Sequence, residues 1–238
     1  MARVVRVAVE GIERGARELT GPAAHYLTVV HRLEPGAGFV AFDPEPGLEA
    51  DARVVRVERR SLICEFEEPR AALRRGALDV TLLQGVGKGD KLEDVVRTAT
   101  ALGARAVCFV AAERSVARPQ AERATRLKSV AIEAARQSGR GDIPRIALPE
   151  PLEQVLEAWR TDGANKLCLE PGAGKPLGTR LAEPAALLIG PEGGLSPREL
   201  ELADAAGFER VSLGPLTLRT ELAAAVALGC FAAQLPGT

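Results

Sequence analysis

Cysteine and histidine, which bind transition metals and, for cysteine, form disulfide bonds, are scarce in this sequence. The 238 residues include four cysteines and two histidines, with no Cys-x-x-Cys pair. This spacing predicts four buried, reduced thiols and no metal site. No uninterrupted apolar run reaches about 18 residues, so we expect no membrane-spanning segment. Charges at Arg3, Arg6, Glu10 and Glu13 leave no room for the apolar stretch of a secretory signal, and we expect a cytoplasmic protein.

The sequence also lacks an excess of positive charge, because 31 Lys and Arg residues face 32 Asp and Glu residues. The distribution is uneven, however. Residues 73–150 carry 14 basic and 9 acidic groups, whereas the segments before and after them are net acidic. Phosphate binding needs local rather than overall positive charge, so this segment is compatible with a nucleic-acid partner. A solvated basic face with no ligand explains the same pattern nearly as well.

The N-terminal region has the pattern of a small β domain. Four short β-prone runs occupy residues 3–9, 39–42, 53–58 and 62–67. Turns rich in Pro and Gly separate them, and a short helix is expected at 21–31. Several short strands at close spacing predict a small barrel. The pattern changes after Pro69, and we assign residues 1–72 to a first domain and 73–238 to a second.

From residue 78 the sequence alternates between strand and helix patterns. Strands are expected at 78–84, 106–111, 167–169 and 185–189. Helices with apolar residues along one side are expected at 91–102, 120–137 and 152–160. This alternation predicts an α/β domain with a mainly parallel sheet covered on both faces. In open sheets of this class, ligands bind at the loops that follow the C-terminal strand ends.

One loop between a strand and a helix is unusually rich in glycine. The predicted strand ending at Ile189 continues into Gly190-Pro191-Glu192-Gly193-Gly194, with three glycines in five residues. Ser196, Pro197 and Glu199 then form the pattern of a capping box that starts a helix. Glycine permits close approach of the backbone to a ligand, although a tight connection with no ligand is the alternative. The loop matches neither the dinucleotide fingerprint nor the P-loop.

A second loop of this kind follows shortly afterwards. A short strand predicted at 211–213 enters Gly214-Pro215, and Arg219-Thr220-Glu221 precede an Ala-rich helix that extends to about Leu235. This helix is apolar nearly all round, so it must be buried in a core or at a subunit interface. The charged residues at its start are either a structural clamp or part of a site, and we favour a site.

The two loops together resemble the ribosomal small-subunit methyltransferase E family. The similarity rests on residues 188–194, 211–214 and 218–221, and it extends to Arg32-Leu33 and to residues 134–140. It implies an α/β fold in which a trefoil-knotted SPOUT methyltransferase domain follows a small N-terminal PUA-like β-barrel that binds RNA. It also implies S-adenosyl-L-methionine as cofactor, N3 of a uridine in 16S ribosomal RNA of the small subunit as target, and a homodimer.

The resemblance further implies which residues form the site. The cofactor-binding residues would be Leu169, Glu170, Ile189, Gly190, Pro191, Glu192, Gly193, Gly194, Ser212, Leu213, Gly214, Leu218, Arg219 and Thr220. The RNA-binding residues would be Arg32, Arg123, Arg126, Arg136, Gln137 and Arg140. Because aromatic residues make up only 3% of the chain, we expect affinity for RNA to come from phosphate contacts more than from base stacking.

The chemistry of the reaction assigns two further roles. Uracil N3 is a poor nucleophile until it loses its proton, so the site must align the reactants and favour the uracil anion. Arg219 is the candidate for stabilising charge on the uracil oxygens, and Glu221 is the candidate base.

Three positions depart from the family pattern. Arg136 stands where the family usually has Glu. Ala101 and Leu222 stand where the family usually has Glu and Thr. The cofactor loops are intact, so the differences concern the substrate side. Two alternatives therefore stay open: a SPOUT-fold enzyme for another RNA nucleotide, and a non-catalytic RNA-binding factor in ribosome assembly.

Overall fold

The computed structural model describes residues 4–73, 76–87, 91–115 and 121–235, except for the side chains of Ala121 and Glu122. The chain divides into two compact units. Unit 1 contains residues 1–75 and 132–143, and unit 2 contains residues 76–131 and 144–238. Arg3 and Gln120, which begin a predicted strand and a predicted helix, lie outside the described residues.

Unit 1 is built on a sheet of six short strands. They are β1 (Arg6–Ala8), β2 (Gly15–Leu19), β3 (Gly38–Asp43), β4 (Leu48–Val57), β5 (Leu62–Phe66) and β6 (Arg70–Ala71). The order is β1-β3-β4-β5-β2, with β6 paired to β4; β1 is parallel to β3 and the other pairs are antiparallel. Leu27, Phe39, Leu62 and Phe66 are buried in one apolar core.

Several features of unit 1 differ from the sequence prediction. Strand β4 begins at Leu48 rather than at residue 53, and the two-residue strand β6 was not predicted. Strand β2 was not predicted, because its middle residues are charged and exposed and give no apolar alternation. The helix expected at 21–31 is a short α-helix, α1 (Gly21–His25), followed by a π-helical turn at Tyr26–Val30. The helical segment ends where Arg32 adopts a positive φ of 52°.

Unit 2 contains a six-stranded parallel sheet, as the alternating pattern predicted. Its strands are β7 (Leu78–Gly85), β8 (Ala104–Ala111), β9 (Arg145–Pro151), β10 (Asn165–Leu169), β11 (Ala185–Ile189) and β12 (Glu209–Val211). The order is β12-β10-β11-β7-β8-β9, and every pair is parallel. The ends of β12, β10 and β11 are therefore neighbours, which brings the loops that follow them together.

Five helices accompany this sheet in the sequence. They are α2 (Lys91–Ala101), α3 (Ala121–Ser138), α4 (Leu152–Trp159), α5 (Pro197–Ala205) and α6 (Thr220–Ala232). Helices α4 and α5 pack on each other over a cluster that includes Leu83, Cys168 and Leu188. Helices α2 and α6 pack on each other, and α6 also contacts β7 and β11. Helix α6 thus starts beside the central strands.

Three expectations for unit 2 need correction. Strand β9 was missed, because at this sheet edge it is only half-buried and carries two prolines. Strand β12 covers Glu209–Val211 rather than 211–213. Helix α6 ends at Ala232 rather than near Leu235. Leu222 is 49% exposed and Val226 is 37% exposed in the single chain, whereas Leu228 on another side is fully buried. Burial of the exposed side at a subunit interface stays a prediction.

The four cysteines are free thiols, but two of them are not fully buried. Cys64 and Cys168 lie in the cores, and burial raises their pKa values to about 11 and about 12. Cys108 and Cys230 are partly exposed, so the prediction of four buried thiols is wrong for these two. Among the helices that the structure describes, none is long and apolar enough to cross a membrane.

Candidate active site

Loops that follow β10, β11 and β12 enclose a cleft in unit 2. Its volume is about 590 Å³, within the range of about 300–1,000 Å³ that is usual for small-molecule sites. The walls combine apolar side chains, including Leu169, Ile189 and Leu213, with the backbone of the glycine-rich loop at residues 190–195. The cleft therefore lies at the C-terminal strand ends, where sheets of this class bind ligands.

Close packing of backbone against backbone holds the glycine-rich loop. A Cβ on Gly190 would lie 3.1 Å from the Leu195 amide nitrogen, tighter than ordinary contact. A Cβ on Gly85, at the end of β7, would overlap the Pro191 backbone. Gly194 has a positive φ of 68°, and its amide donates to the Pro191 carbonyl at 2.8 Å. Close packing therefore requires glycine at position 190, and the positive φ favours glycine at position 194.

A chain of buried hydrogen bonds connects this loop to β7 and α6. The Gln84 side-chain amide donates to the Thr220 hydroxyl at 2.7 Å, and that hydroxyl donates to the Gly190 carbonyl at 2.7 Å. Gln84 is 1% exposed and Thr220 is 7% exposed. Breaking such a chain leaves buried polar groups without partners, which costs more than a surface bond. The starting points of the loop and of α6 are therefore fixed relative to each other.

The predicted capping box at the start of α5 is confirmed. The Glu199 amide donates to the Ser196 hydroxyl, and the Ser196 amide donates to the Glu199 carboxylate at 2.8 Å. The same carboxylate accepts a bond from the Glu113 amide at 2.7 Å. Glu199 is only 7% exposed, so it anchors the far end of the loop to the segment after β8.

Arg219 lies at the N-cap of α6, where its side chain is exposed and lines the cleft. Its guanidinium makes no hydrogen bond or ion pair with any side chain in the described part of the chain. The alternative of a structural clamp between Arg219 and Glu221 does not hold for these residues, since Glu221 pairs with Lys91 at 3.6 Å instead. Thr220, and not the charged pair, is the buried residue at this helix start.

A cluster of charge lies beside the loop. The Lys91 ammonium is 2.9 Å from the Glu192 carboxylate, and this hydrogen bond raises the pKa of Lys91. On the opposite flank of the cleft, Glu170 pairs with Arg210 at 3.4 Å. Both acids line the cleft, and each has a cationic partner from another element.

The structure brings most of the predicted cofactor residues together. All of them line the cleft except Ser212. Ser212 lies behind the wall, where its amide donates to the Lys175 carbonyl and its carbonyl accepts from the Leu177 amide. Of the two catalytic candidates, Arg219 lines the cleft and Glu221 does not.

Four of the six predicted RNA-binding residues belong to unit 1. Arg136 forms an ion pair with Glu133, and its guanidinium carbon lies 3.6 Å from the centre of the Tyr26 ring. Gln137 donates to Glu133 at 2.8 Å. Burial raises the pKa of Glu133, but the bonds from Arg136 and Gln137 outweigh it and lower the pKa. Arg32 is exposed.

Among the remaining predicted RNA-binding residues, Arg140 and Arg126 also pair with carboxylates. Arg140 of unit 1 donates to Asp142 at 2.6 Å, and its side chain is only 6% exposed. In unit 2, Arg126 pairs with Glu93 while its side chain stays 64% exposed. Arg123 is half-buried. Arg126 is thus the most accessible of these three residues.

Among the residues at the site that were not predicted from the sequence, three make polar contacts with its loops or helix. Gln84 and Lys91 carry no local motif, and they reach the loop only because β7 and α2 are its spatial neighbours. Arg114 follows β8, and it donates to the Gly193 carbonyl at 2.7 Å while its stem packs on Gly193. The rule that ligands bind after C-terminal strand ends would have directed attention to Arg114.

No metal centre accompanies this cleft in the part of the chain that the structure describes. Within residues 4–73, 76–87, 91–115 and 121–235, no three His, Cys, Asp or Glu side chains converge as metal ligands would.

The sequence is similar to those of known RNA methyltransferases. The sequence model of the RNA methyltransferase domain matches residues 74–232, which contain the whole cleft. Ribosomal RNA small subunit methyltransferase E of Synechocystis is 33% identical over 96% of this chain and 76% of its own length. The Bacillus subtilis enzyme of the same name is 30% identical over 91% of this chain and 89% of its own length.

A solved structure agrees with these relatives. Ribosomal RNA small subunit methyltransferase E from Neisseria gonorrhoeae, bound to S-adenosyl methionine, superposes with a TM-score of 0.86 at 27% identity. The match covers 95% of this chain and 96% of that one. The chain belongs to the ribosomal RNA small subunit methyltransferase E family.

Proposed function

We propose that this protein transfers a methyl group from S-adenosyl-L-methionine to N3 of a uridine in 16S ribosomal RNA of the small subunit. One observation carries the proposal: in a member of this family, the residues that the family resemblance assigns to the cofactor converge on one cleft. Family membership supports the reaction class, and the resemblance in the loops supports the particular atom and base.

The cleft suits S-adenosylmethionine in size and in chemistry. A volume of about 590 Å³ admits a nucleoside with its amino-acid chain. Leu169, Ile189 and Leu213 offer apolar surfaces for an adenine ring. The loop at Gly190 and Gly194 has no side chains that would keep a ligand from the backbone. When bound there, the cofactor supplies a methyl group on a sulfonium, and the sulfonium leaves as a neutral thioether.

Arg219 is placed to act on the RNA base. In the transfer a bond forms between N3 and the methyl carbon, the bond from that carbon to sulfur breaks, and the N3 proton leaves. Negative charge then grows on the flanking uracil oxygens, and the guanidinium of Arg219 has donors to spare for them. The hydrogen bonds of Thr220 hold the backbone that carries it.

Glu221 remains our candidate for the general base that accepts the N3 proton. It pairs with Lys91 rather than with Arg219, and it lies outside the cleft lining. To accept the N3 proton, it would act through a water molecule or after a side-chain rotation. If Glu221→Gln has full activity, this role is excluded and the proton passes directly to solvent.

The finer features of the fold and its partners belong to the same proposal. We infer that unit 1 is the PUA-like barrel that binds RNA, and that the chain of unit 2 forms the trefoil knot. Arg32, Arg123, Arg126, Arg136, Gln137 and Arg140 would supply the RNA contacts. We expect the reaction in the cytoplasm, on the small subunit or its RNA, with no metal.

The exposed side of α6 supports a homodimer. Leu222 and Val226 lie one helical turn apart on it, and Leu235 is 37% exposed shortly beyond the helix. Light scattering should give twice 25.1 kDa. Leu222→Glu should produce a monomer, whereas Glu201→Lys, on exposed α5, should leave the dimer intact. A wild-type monomer at micromolar concentration would contradict the assignment.

The proposed function is tested by the methylated product. Purified protein, labelled S-adenosylmethionine and either naked 16S RNA or assembled small subunits should give N3-methyluridine in one of the two reactions. A methyl group on another nucleotide would support the alternative of a different RNA target. Cofactor binding without transfer to either substrate would support a non-catalytic assembly factor.

A further inference from the structure

The position of Lys91 is electrostatically unusual. It is the first residue of α2, where the helix dipole disfavours a cation and favours acids such as Glu93 and Asp94 in the same turn. Its ammonium instead meets two carboxylates from other elements, Glu192 at 2.9 Å and Glu221 at 3.6 Å. Long-range partners therefore explain this lysine better than the stability of its own helix does.

The two carboxylates belong to two different elements of the site. Glu192 lies in the glycine-rich loop and lines the cleft. Its carboxylate packs against Gly87, where no side chain intervenes. Glu221 lies in the first turn of α6, two residues after Arg219. One cation thus joins the start of α2 to the loop and to α6.

We propose that Lys91 is a positioning residue that holds the loop at residues 190–195 in the conformation that binds the cofactor. The inference rests on the proposed function, because it names the ligand whose affinity should change. The buried bonds of Thr220 fix the start of α6 independently. Loss of Lys91 should therefore act mainly through Glu192 and the loop, and only weakly through Arg219.

The expected effect is moderate. The side chains of Lys91 and Glu192 are 30% and 32% exposed, so water screens their attraction. Removing the charge should weaken cofactor binding about fivefold. The KM for cofactor should rise by the same factor. The kcat at saturating cofactor and RNA should stay within about twofold, because the loop is ordered once the cofactor is bound.

The test uses the full chain and titration calorimetry with S-adenosylmethionine. Lys91→Met keeps the length of the side chain and removes its charge, and Lys91→Arg should restore most of the affinity. Arg97→Met is the matched control, since Arg97 lies on the same helix and pairs with the exposed Asp94, away from the loop. It should leave affinity unchanged. The Tm of Lys91→Met should fall by no more than about 2–4 °C.

A double-mutant cycle shows whether Lys91 acts through Glu192. Glu192→Gln alone should weaken binding at least as much as Lys91→Met, and the double variant should be no weaker than Glu192→Gln. Additive losses, or an unchanged affinity in Lys91→Met, would overturn the inference. If Lys91→Met fails to fold, Glu192→Gln decides alone, and full affinity in that variant overturns it. A wild-type protein that binds no cofactor would instead refute the proposed function.

Discussion

The residues around the cleft and the arginines of α3 are held by different kinds of interaction. Around the cleft, neutral hydrogen bonds are buried, as between Thr220 and Gly190, and a capping box fixes the start of α5. On α3, by contrast, Arg126 and Arg136 are engaged by carboxylates of the same chain. The cleft is therefore held in shape by the chain itself. In the proposed role, the arginines would have to exchange a carboxylate for a phosphate.

This difference has an energetic consequence. A preorganised cleft needs little ordering when its ligand binds, so substitutions there should cause large and specific losses. An arginine that leaves an ion pair for a phosphate gains only the difference between two similar interactions. Single substitutions on the RNA side should therefore have small effects, and affinity should depend on several residues together.

Arg219→Lys should have the largest effect. The substitution keeps the charge but removes the planar fork that can meet a uracil oxygen. Because the interaction is made mainly in the transition state, kcat should fall by about 10²-fold or more while RNA affinity is retained. Single-turnover kinetics at saturating RNA measure this. Arg198→Lys, on the exposed side of α5, is the control and should be fully active. A fully active Arg219→Lys protein would leave the stabilising group unidentified.

Thr220→Val should come next, as a loss of stability. The two side chains have nearly the same shape, but valine leaves the Gln84 amide and the Gly190 carbonyl without their shared hydroxyl. The free energy of unfolding should decrease by about 1–3 kcal/mol, as urea denaturation would show. Thr179→Val removes one exposed hydroxyl bond and should be nearly neutral. Equal stabilities of the two variants would mean that the buried chain contributes nothing.

Gly193→Val should reduce cofactor affinity at least about tenfold, or about 1.4 kcal/mol. The added Cβ would lie 3.2 Å from the Arg114 side chain, so the wall of the cleft must shift. Titration calorimetry measures the loss. Gly163→Val introduces the same side chain where no atom lies within 4 Å, and its affinity should match that of the wild type. Unchanged affinity in Gly193→Val would show that the loop does not touch the cofactor.

Substitutions at the residues proposed to bind RNA should have the smallest effects, and they can either weaken or strengthen RNA binding. Arg126→Ala should weaken RNA binding a few-fold and reduce the salt slope by about one. Glu93→Gln removes the intramolecular competitor of Arg126 and should tighten RNA binding by a similar factor. Filter binding over a range of salt concentrations measures both. Arg160→Ala, on the surface near α4, should change neither. If Glu93→Gln weakens binding, the ion pair is what presents Arg126 to RNA.

Sequence reasoning was most successful where a local pattern decides the structure. The strand at Ala185–Ile189 and the capping box after it were predicted correctly, because buried-strand periodicity and helix capping are local properties. Strands β2 and β9 were missed, because charged or half-buried residues give no apolar signal. Their place in the sheets is set by pairing with distant strands.

The candidate site shows the same division. The glycine loops were visible in the sequence, since close backbone approach requires particular residue types. The partners of those loops were not visible. Gln84 is 136 residues from Thr220. The partner of Glu221 is Lys91, on a helix far away in the sequence, whereas the alternative of a structural clamp had considered only its near neighbour Arg219. Only the arrangement of β7, α2 and α6 brings these side chains together.

Mass analysis of nucleosides tests the central claim most directly. Small-subunit RNA from cells that lack this gene should be incubated with the purified protein and S-adenosylmethionine, with Arg219→Lys in a parallel reaction. The account predicts N3-methyluridine at one position with the wild-type protein and about 10²-fold slower formation with the variant. If the protein binds the cofactor but forms no methylated uridine on naked RNA or on assembled subunits, the proposed function is wrong.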